Sequence, residues 1–240
     1  MHLPSISVLV PAFNEEASIG AVLDTLAGLR PKTYRLQEVI VVNDASTDNT
    51  ENIIRDFIQR DTSQIKYFLI NHKTNTGKGS AIKTAMKKAS SEFVIIQDAD
   101  LEYDPTEIEL LVKPIITANA DVVFGTRFIG GQPHRKLFFW HSIGNRLLTF
   151  LSNAFNNLNL TDMETCYKLI RTKHIQHIQI KENRFGFEPE ITAKLARIPE
   201  IKIYEVGISY YGRTYSEGKK INWKDGVRAL YCIVRYNWLK

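Results

Sequence analysis

Cysteine is scarce in this chain of 240 residues, which carries only Cys166 and Cys232. Both lie in apolar stretches and there is no Cys-x-x-Cys pair, which excludes a disulfide scaffold, a metal finger and a dithiol redox centre. Glycine and proline are also few, with 13 and 8 residues, so collagen-like and disordered chains are excluded as well. We therefore expect a globular protein from a reducing compartment.

Long apolar runs and two phosphate-binding motifs are missing too. The longest stretch without a charged residue, Leu147–Thr161, is interrupted by serine and asparagine, whereas a membrane-spanning helix needs about 20 apolar residues. The chain starts without a basic leader, and the short apolar run Ile6–Pro11 predicts a first strand rather than a signal peptide. No Gly-x-Gly-x-x-Gly follows that run, and Asn75–Ser80 lacks the spacing of a P-loop.

Acidic and basic residues are unevenly divided along the chain. Residues 1–126 contain 12 Lys and Arg against 17 Asp and Glu, whereas residues 127–240 contain 19 against 9. The first part therefore carries a net charge of −5 and the second a net charge of +10. Carboxylates in one half and cations in the other suit a metal-dependent site beside a surface for anionic partners. Chance also produces such a division, so it only supports the motifs described below.

Runs rich in Val and Ile alternate with segments whose apolar residues recur at helical spacing. The predicted strands are Ser5–Pro11, Glu38–Val42, Ile65–Ile70, Phe93–Gln97 and Asp121–Phe124. The predicted helices between them are Glu16–Leu29, a helix opened by a capping box at Asp48–Glu51, 79–89 and 105–118. Nearly unbroken apolar strands separated by helices predict an α/β fold, a mostly parallel sheet with helices on both faces.

After Gly125 the alternation becomes less regular. The elements predicted there are the helix Leu137–Leu158, the strand Thr165–Ile170, the helix Pro189–Arg197, the strand Ile201–Val206 and the helix Asn222–Leu239. No Pro-, Gly- or Ser-rich linker separates the two parts, and no internal repeat is present. We therefore predict a single domain over residues 1–240, with the later helices as an appendage to the sheet.

Polar residues follow three of the predicted strands, in the segments Pro11–Glu15, Asn43–Ser46 and Asp98–Glu102. Ligands bind beyond the carboxyl ends of strands in open parallel sheets. Asp98 and Asp100 are two positions apart, which on an extended segment places both carboxylates on one side. Such oxygen ligands favour Mg²⁺ or Mn²⁺. The alternative is a solvated turn before a helix, with Asp104 as its cap.

Three segments, Val8–Glu16, Val41–Asp48 and Gln97–Glu102, carry a family resemblance and occur in order along the chain. Together they resemble the nucleotide-sugar half of family 2 glycosyltransferases with the Rossmann-like GT-A fold, and the chain is most similar to the dolichyl-phosphate mannose and glucose synthases. Later segments that fit this branch are Thr165–Lys168, Phe187–Glu190 and Tyr211–Lys219. The resemblance implies that residues 1–126 bind a nucleotide sugar and residues 127–240 form the acceptor side.

The same resemblance implies roles for individual acidic and apolar residues. Those it implies to bind the nucleotide are Pro11, Phe13, Glu15, Asp44, Asp98 and Asp100, and Lys78 and Ala99 are further candidates for the same role. Within this set, Asp44 is expected to hydrogen-bond the base, and Asp100 to coordinate the metal with Asp98 nearby. Glu102 stands where this branch often has Gln and adds a possible third oxygen ligand. Asn43 replaces an Asp common in related sequences, so base recognition would depend more on Asp44.

Cations are expected where the leaving diphosphate and an acceptor phosphate carry charge. The segment Asn75–Ser80 starts the predicted helix 79–89, where backbone N–H groups could face a phosphate. The alternative is a glycine helix entrance with a solvated Lys78. The resemblance makes Arg127 an acceptor-phosphate or diphosphate contact, and Arg146 is a charge within an apolar segment that needs an anion, a partner or water. Arg213 and Lys219 lie in a glycine-flanked loop that could close over the donor phosphates. A surface charge or a structural ion pair is the alternative for each.

The carboxylates in the second half do not decide whether the acceptor is a hydroxyl group or a phosphate. Glu188 and Glu190 flank Pro189 at a predicted helix start, where each is either a base for a hydroxyl acceptor or a first-turn residue favoured by the helix dipole. We favour the structural role and allow either to contact sugar hydroxyls. Asp162 and Glu164 carry the same ambiguity. A phosphate acceptor needs no base, because its second pKa of about 6 leaves it anionic near neutrality.

Aromatic residues ringed by cations suggest contact with a membrane surface. One predicted interfacial face contains Phe138, Phe139, Trp140 and Phe150. The last predicted helix carries Trp223, Val227, Leu230, Tyr231, Val234 and Trp238, and the cations around it are Lys219, Lys220, Lys224, Arg228, Arg235 and Lys240. The alternative is that these residues pack on the sheet. We expect peripheral binding at the cytoplasmic face of a membrane or to a membrane-anchored subunit.

Together the motifs predict an inverting, metal-dependent hexosyltransferase. Its expected donor is a nucleotide-diphosphate sugar of the UDP-glucose or GDP-mannose type, its acceptor a polyprenyl phosphate, and its cofactor Mg²⁺ or Mn²⁺. One alternative keeps the donor and uses a saccharide hydroxyl in cell-surface polysaccharide synthesis. Another, of a different class, is a non-catalytic nucleotide-sugar-binding module. No nucleic-acid partner is expected, because no such motif is present and the aromatic residues lie in apolar stretches.

Overall fold

The computed structural model describes residues 2–135, 139–214 and 223–238. Its strands are β1 (Ser5–Ala12), β2 (Arg35–Asn43), β3 (Lys66–Asn71), β4 (Phe93–Ile96), β5 (Val122–Thr126), β6 (Lys168–Arg171) and β7 (Ile203–Gly207). Its helices are α1 (Ile19–Gly28), α2 (Thr50–Arg60), α3 (Lys78–Lys88), α4 (Ile108–Ala118), α5 (Phe139–Asn156), α6 (Thr172–Gln176), α7 (Phe187–Ala196) and α8 (Trp223–Trp238). A short 3-10 turn, Pro105–Glu107, precedes α4.

The described strands form one sheet in the order β3-β2-β1-β4-β6-β5-β7. All neighbouring pairs are parallel except those made by β6, which runs antiparallel to both β4 and β5. The path moves outward from β1 to β3 and then returns past β1 to β4. Because such crossovers are right-handed, α3 lies on the face opposite α1 and α2. The expected mostly parallel α/β sheet is confirmed.

Local sequence explains most of the first half. The apolar residues of α1 that recur at helical spacing, Ile19, Val22, Leu23 and Leu26, are all buried. At the start of α2, Asp48 accepts a hydrogen bond from the Thr50 backbone N–H. The capping box is incomplete, however, because Glu51 pairs with Arg55 one turn later at 2.6 Å. Asp104 caps the turn before α4 as expected, by accepting from the Thr106 N–H.

The second half departs further from the predicted pattern. β6 begins at Lys168, three residues later than expected, and the short helix α6 was not predicted. α5 buries Thr149 and Ser152 and leaves its aromatic residues outside, with Trp140 76% and Phe150 67% exposed. No helix in the described parts of the chain is both long and apolar enough to cross a membrane.

Candidate active site

A cavity of about 810 Å³ opens beyond the carboxyl ends of β1, β2 and β4, next to the point where the strand order reverses. This is where open parallel sheets bind ligands. The predicted site residues that line it are Pro11, Phe13, Glu15, Asp44, Lys78, Asp98, Ala99, Asp100, Glu102, Arg127, Glu188 and Arg213. Arg146 and Glu190 do not line it, and Lys219 lies outside the described residues.

The two aspartates after β4 pair with different cations. β4 ends at Ile96 and the chain bends at Ala99 and Asp100, so the extended geometry expected for this segment is not present. The Nζ of Lys78, the first residue of α3, lies 2.7 Å from Oδ1 of Asp98. Burial lowers the pKa of Lys78, but the nearby acidic groups, Asp98 first, raise it well above its usual range. Lys78 therefore stays charged.

Arg213 joins three carboxylates at one wall of the cavity, and we call Glu15, Asp100 and Glu102 the front cluster. Its guanidinium lies 3.0 Å from Glu15, 2.5 Å from Asp100 and 3.8 Å from Glu102. The Arg213 backbone N–H and the Tyr210 hydroxyl also donate hydrogen bonds to Glu102. These hydrogen bonds attach the segment from Tyr210 to Arg213 to the acidic segment that follows β4.

The front cluster has the chemistry of a divalent-cation site. Burial, and then the charges of Asp98 and Glu102, raise the pKa of Asp100 to about 7 in spite of the lowering by Arg213. An added cation would therefore stabilise the ionised form of Asp100. In the described ranges, no three Asp, Glu, His or Cys side chains form a complete metal cage. Mg²⁺ commonly uses one or two carboxylates plus substrate phosphates, so Asp100 with Asp98 or Glu102 fits such an ion.

The carboxylate of Asp44, which was expected to contact a base, is hydrogen-bonded to other groups of the protein. Its carboxylate accepts hydrogen bonds from the backbone N–H groups of Thr76 and Gly77. The His72 ring lies 2.7 Å from the same carboxylate and 2.9 Å from the Thr84 hydroxyl. Gly77 has φ of +99°, and a Cβ there would lie 2.6 Å from the Asn183 carbonyl oxygen. Asp44 thus holds the turn that leads into α3 in a conformation suited to glycine.

Arg127 is fixed in the cavity wall by Asp162. The guanidinium donates from Nε and Nη2 to the two Asp162 oxygens at 2.6 Å and 2.8 Å, and the Arg127 backbone N–H donates to the same carboxylate. Asn145 of α5 donates to it as well. Burial raises the pKa of Asp162, but the charge and hydrogen bonds of Arg127 together with the hydrogen bond from Asn145 outweigh it, so the net pKa is below its usual value. The sequence left Asp162 ambiguous, and its role here is to position Arg127.

Arg146 lies in a second, smaller cavity of about 150 Å³. Arg127 and Tyr210 line both cavities, so the two adjoin. Arg135 and His134 also line the smaller one, which gives it a strongly basic wall. Arg146 is therefore close to Arg127 without facing the main cavity.

Two further acids line the main cavity, Glu164 and Glu188, which we call the rear cluster. Lys168, the first residue of β6, is fully buried and donates through Nζ to the Glu188 carboxylate and the Thr165 carbonyl. Burial and then the Glu188 charge raise the pKa of Glu164 to about 7. Burial also raises the pKa of Glu188. Glu190, by contrast, accepts from the Lys181 and Glu182 backbone N–H groups, which is a structural role.

The sequence did not single out Lys168. The available signal was its charge inside the apolar run Cys166–Ile170, because a buried charge is costly unless it is paired. The sequence left the role of Glu164 open because the surroundings of this residue depend on α7 and β6. These elements are distant in sequence from β4 but join the same cavity.

Comparison with known proteins decides the family. Residues 7–179 match the model of glycosyl transferase family 2. The chain belongs to this family. It is therefore an enzyme, a glycosyltransferase, and the expected hexosyltransferase class is confirmed.

Relatives of this glycosyltransferase include enzymes that act on dolichyl phosphate. It is 24% identical over 243 residues to the UDP-N-acetylglucosamine–dolichyl-phosphate N-acetylglucosaminyltransferase of Methanococcus voltae, covering 95% of this chain and 94% of the relative. It is 26% identical over 252 residues to a dolichyl-phosphate beta-glucosyltransferase of Trichomonas vaginalis, covering 96% and 72%. The predicted resemblance to this branch is confirmed.

Solved structures support the fold. Glucosyl-3-phosphoglycerate synthase of Mycobacterium tuberculosis, in complex with Mn²⁺, UDP and glucosyl-3-phosphoglycerate, matches with a TM-score of 0.74 and 18% identity, over 99% of this chain and 81% of that one. The same protein is also known in complex with Mg²⁺ and UDP. At this identity the match shows the GT-A fold, as expected from the sequence.

Proposed function

We propose that this glycosyltransferase moves a hexose, with inversion, from a nucleoside-diphosphate sugar to a polyprenyl phosphate. The observation that carries the proposal is the position of Arg127, which is fixed by Asp162 in a wall shared by the acidic main cavity and the smaller basic cavity. A donor diphosphate and an acceptor phosphate would then meet at one arginine. The two dolichyl-phosphate relatives support the same acceptor class.

The donor would lie across the carboxyl ends of β1, β2 and β4. Pro11, Phe13 and Glu15 line its nucleoside end. Asp44 acts indirectly, by holding the turn that places Lys78 at the cavity. Because a helix N-terminus and a lysine both attract anions, this end of α3 suits the diphosphate.

A divalent cation, Mg²⁺ or Mn²⁺, would be held by Asp100 with Asp98 or Glu102. Such an ion neutralises charge on a departing diphosphate. The chain's own contribution is to keep Asp100 buried and to hold Glu102 through Tyr210 and Arg213. Arg213 carries a second positive charge at the same wall, where it is available to a diphosphate once the carboxylates have another partner.

The acceptor phosphate needs cations rather than a base, because it is anionic near neutrality. Arg127 provides a planar, fully charged donor at the junction of the two cavities, and Arg146 and Arg135 line the smaller one. Arginine suits phosphate because its donors match two oxygens at once. The smaller cavity therefore suits the phosphate of the acceptor lipid.

The apolar tail would extend along α5 and α8, which pack on each other. Trp140 of α5 lines the main cavity and is 76% exposed, and Trp238 of α8 is 74% exposed. Phe138, Lys219, Lys220, Lys240 and the Trp223 side chain lie outside what the structure describes. Exposed aromatic residues beside arginines suit a peripheral contact with anionic lipid, and location at a cytoplasmic face stays a prediction.

Phe150→Ser should weaken sedimentation of the protein with phosphatidylglycerol vesicles. Sedimentation equal to that of wild type would contradict the membrane contact.

The proposal is tested by a transfer assay. Radiolabelled UDP-glucose, GDP-mannose and UDP-N-acetylglucosamine are each supplied with Mn²⁺ and a short polyprenyl phosphate, and the products are extracted into organic solvent. We expect label from one donor in the lipid fraction, and loss of that label without Mn²⁺. Label only in a water-soluble product would overturn the lipid acceptor.

A hydroxyl acceptor is the second candidate, and Glu164 is the observation that favours it. A carboxyl group with a pKa of about 7 that lines the cavity has the property of a general base. A phosphate acceptor does not need that base. A thousandfold loss of turnover in Glu164→Gln or Glu188→Gln would favour the hydroxyl acceptor, whereas substantial remaining activity would support the phosphate acceptor.

A further inference from the structure

Tyr210 is a buried residue that lines both cavities and is only 4% exposed. Its hydroxyl donates a hydrogen bond to Glu102 at 2.9 Å. Its ring lies beside Arg127, with 5.2 Å between the ring centre and Cζ of the guanidinium. One side chain therefore contacts both a carboxylate of the proposed metal site and the arginine proposed to meet the acceptor phosphate.

The surroundings of Tyr210 hold it in one orientation. Its ring packs against Tyr103 with the ring centres 5.3 Å apart, and Tyr103 in turn stacks on Tyr167 at 5.1 Å. The Tyr210 backbone N–H donates to the Pro133 carbonyl at 3.1 Å, and the Tyr210 carbonyl accepts from the Arg135 N–H at 2.8 Å. Because such a close-packed side chain moves only as a unit, its contacts with Glu102 and Arg127 are fixed relative to each other.

The two contacts act on different groups. Oε2 of Glu102 accepts from the Tyr210 hydroxyl and Oε1 accepts from the Arg213 N–H, so the carboxylate is oriented at both oxygens. Hydrogen bonds of this kind orient the carboxylates that bind metal ions. Arg127 is held through Nε and Nη2 by Asp162, and the Tyr210 ring adds the attraction of an aromatic ring for a cation.

We propose that Tyr210 is a positioning residue that sets the metal-binding carboxylate and the acceptor arginine relative to each other. This inference rests on the proposed function, since it takes Glu102 as a ligand of the cation and Arg127 as a contact of the acceptor phosphate. Transfer requires the leaving diphosphate and the attacking phosphate to be aligned, and small displacements of either are costly. Tyr210 acts on this alignment through Glu102 and Arg127 rather than on the reacting atoms.

Two substitutions separate the contacts. Tyr210→Phe removes the hydroxyl and keeps the ring, so Mn²⁺ should bind about tenfold more weakly, which is the usual loss when an outer partner of a metal ligand is removed. Its KM for a short polyprenyl phosphate should stay close to that of wild type. Tyr210→Met fills the space without a ring and should in addition raise this KM about fivefold. Electron paramagnetic resonance of free Mn²⁺ without nucleotide measures the affinity, and the transfer assay gives KM.

Tyr236→Phe is the matched control. The Tyr236 hydroxyl also donates to a glutamate, Glu182, at 2.9 Å, but Tyr236 does not line the main cavity. This variant should leave Mn²⁺ affinity and KM unchanged.

Unchanged Mn²⁺ affinity in Tyr210→Phe, or a loss that Tyr236→Phe shares, would overturn the inference while leaving the proposed function standing. Equal KM values in Tyr210→Phe and Tyr210→Met would overturn the role of the ring. A Tyr210→Met variant that does not fold, as judged by circular dichroism, would overturn it too, because the ring would then be structural. If wild type places no label in the lipid fraction, the proposed function itself fails.

Discussion

The front and rear clusters are both groups of buried acids in one cavity, yet their charges are compensated differently. The front cluster is closed by Arg213, which reaches Glu15 and Asp100 directly. In the rear cluster, Lys168 pairs with Glu188 but leaves one oxygen of each glutamate without a partner. The front cluster sets three carboxylates against one guanidinium and so keeps a surplus of negative charge that suits a further cation. The rear cluster sets two glutamates against Lys168, and the pKa of Glu164 is raised by burial and by the Glu188 charge.

Removing an acid from the front cluster should have the largest effect. Asp100→Asn keeps the size of the side chain and removes the charge that would hold a divalent cation. Since metal-assisted charge stabilisation contributes several kcal/mol, we expect transfer to fall about a hundredfold or more. The variant should fold normally, as measured by circular dichroism. Activity above about a tenth of wild type would show that Asp100 is not a ligand.

Removing an acid from the rear cluster should instead stabilise the protein, in a pH-dependent way. The raised pKa of Glu164, about 7 against the ordinary 4.5, means that the folded state loses stability as pH rises through this interval. Glutamine has no such charge. Glu164→Gln should therefore be more stable than wild type at pH 8, by up to about 3 kcal/mol, and equal to it near pH 4.5.

Urea denaturation at the two pH values measures this difference. Glu190→Gln is the control, because it loses hydrogen bonds to two backbone N–H groups and should be less stable than wild type at pH 8. A Glu164→Gln variant that is only as stable as wild type at pH 8 would show that the pKa of Glu164 is not raised in the folded protein. A gain in stability with a loss of turnover would mark Glu164 as a functional residue.

Removing Arg213, the cation of the front cluster, should have the smallest effect, which is a change in the affinity for Mn²⁺. Without Arg213 the carboxylates repel one another, so Mn²⁺ should bind Arg213→Ala about tenfold more tightly in the absence of nucleotide, which corresponds to about 1.4 kcal/mol. Electron paramagnetic resonance of free Mn²⁺ measures this affinity. Turnover should fall more than nucleotide affinity, since Arg213 would face the diphosphate during transfer.

Arg228→Ala is the control for this change. Arg228 forms an ion pair with Glu182 at 2.9 Å and does not line the main cavity. It should leave Mn²⁺ affinity unchanged. Weaker Mn²⁺ binding in Arg213→Ala would mean that Arg213 supports the metal site rather than occupying its place.

Much of the cavity wall at the strand ends was predictable because its signals are local. Each of β1, β2 and β4 is followed by residues that line the cavity, since the carboxyl ends of parallel strands meet at one edge of the sheet. The partners of these residues were not predictable. Asp44 was expected to contact a base, but its oxygens are occupied by the turn before α3, which the strand pattern does not specify.

The sequence by itself determined the alternation of strands and helices, the buried face of α1 and the acidic segment after β4, because these follow from periodicity over a few residues. The tertiary structure decided which charges meet: Lys78 with Asp98, Arg213 with Asp100, and Arg127 with Asp162. It also decided that β6 enters the sheet antiparallel, bringing Lys168 to Glu188. Such pairings depend on how distant elements stack, and local periodicity carries no information about that.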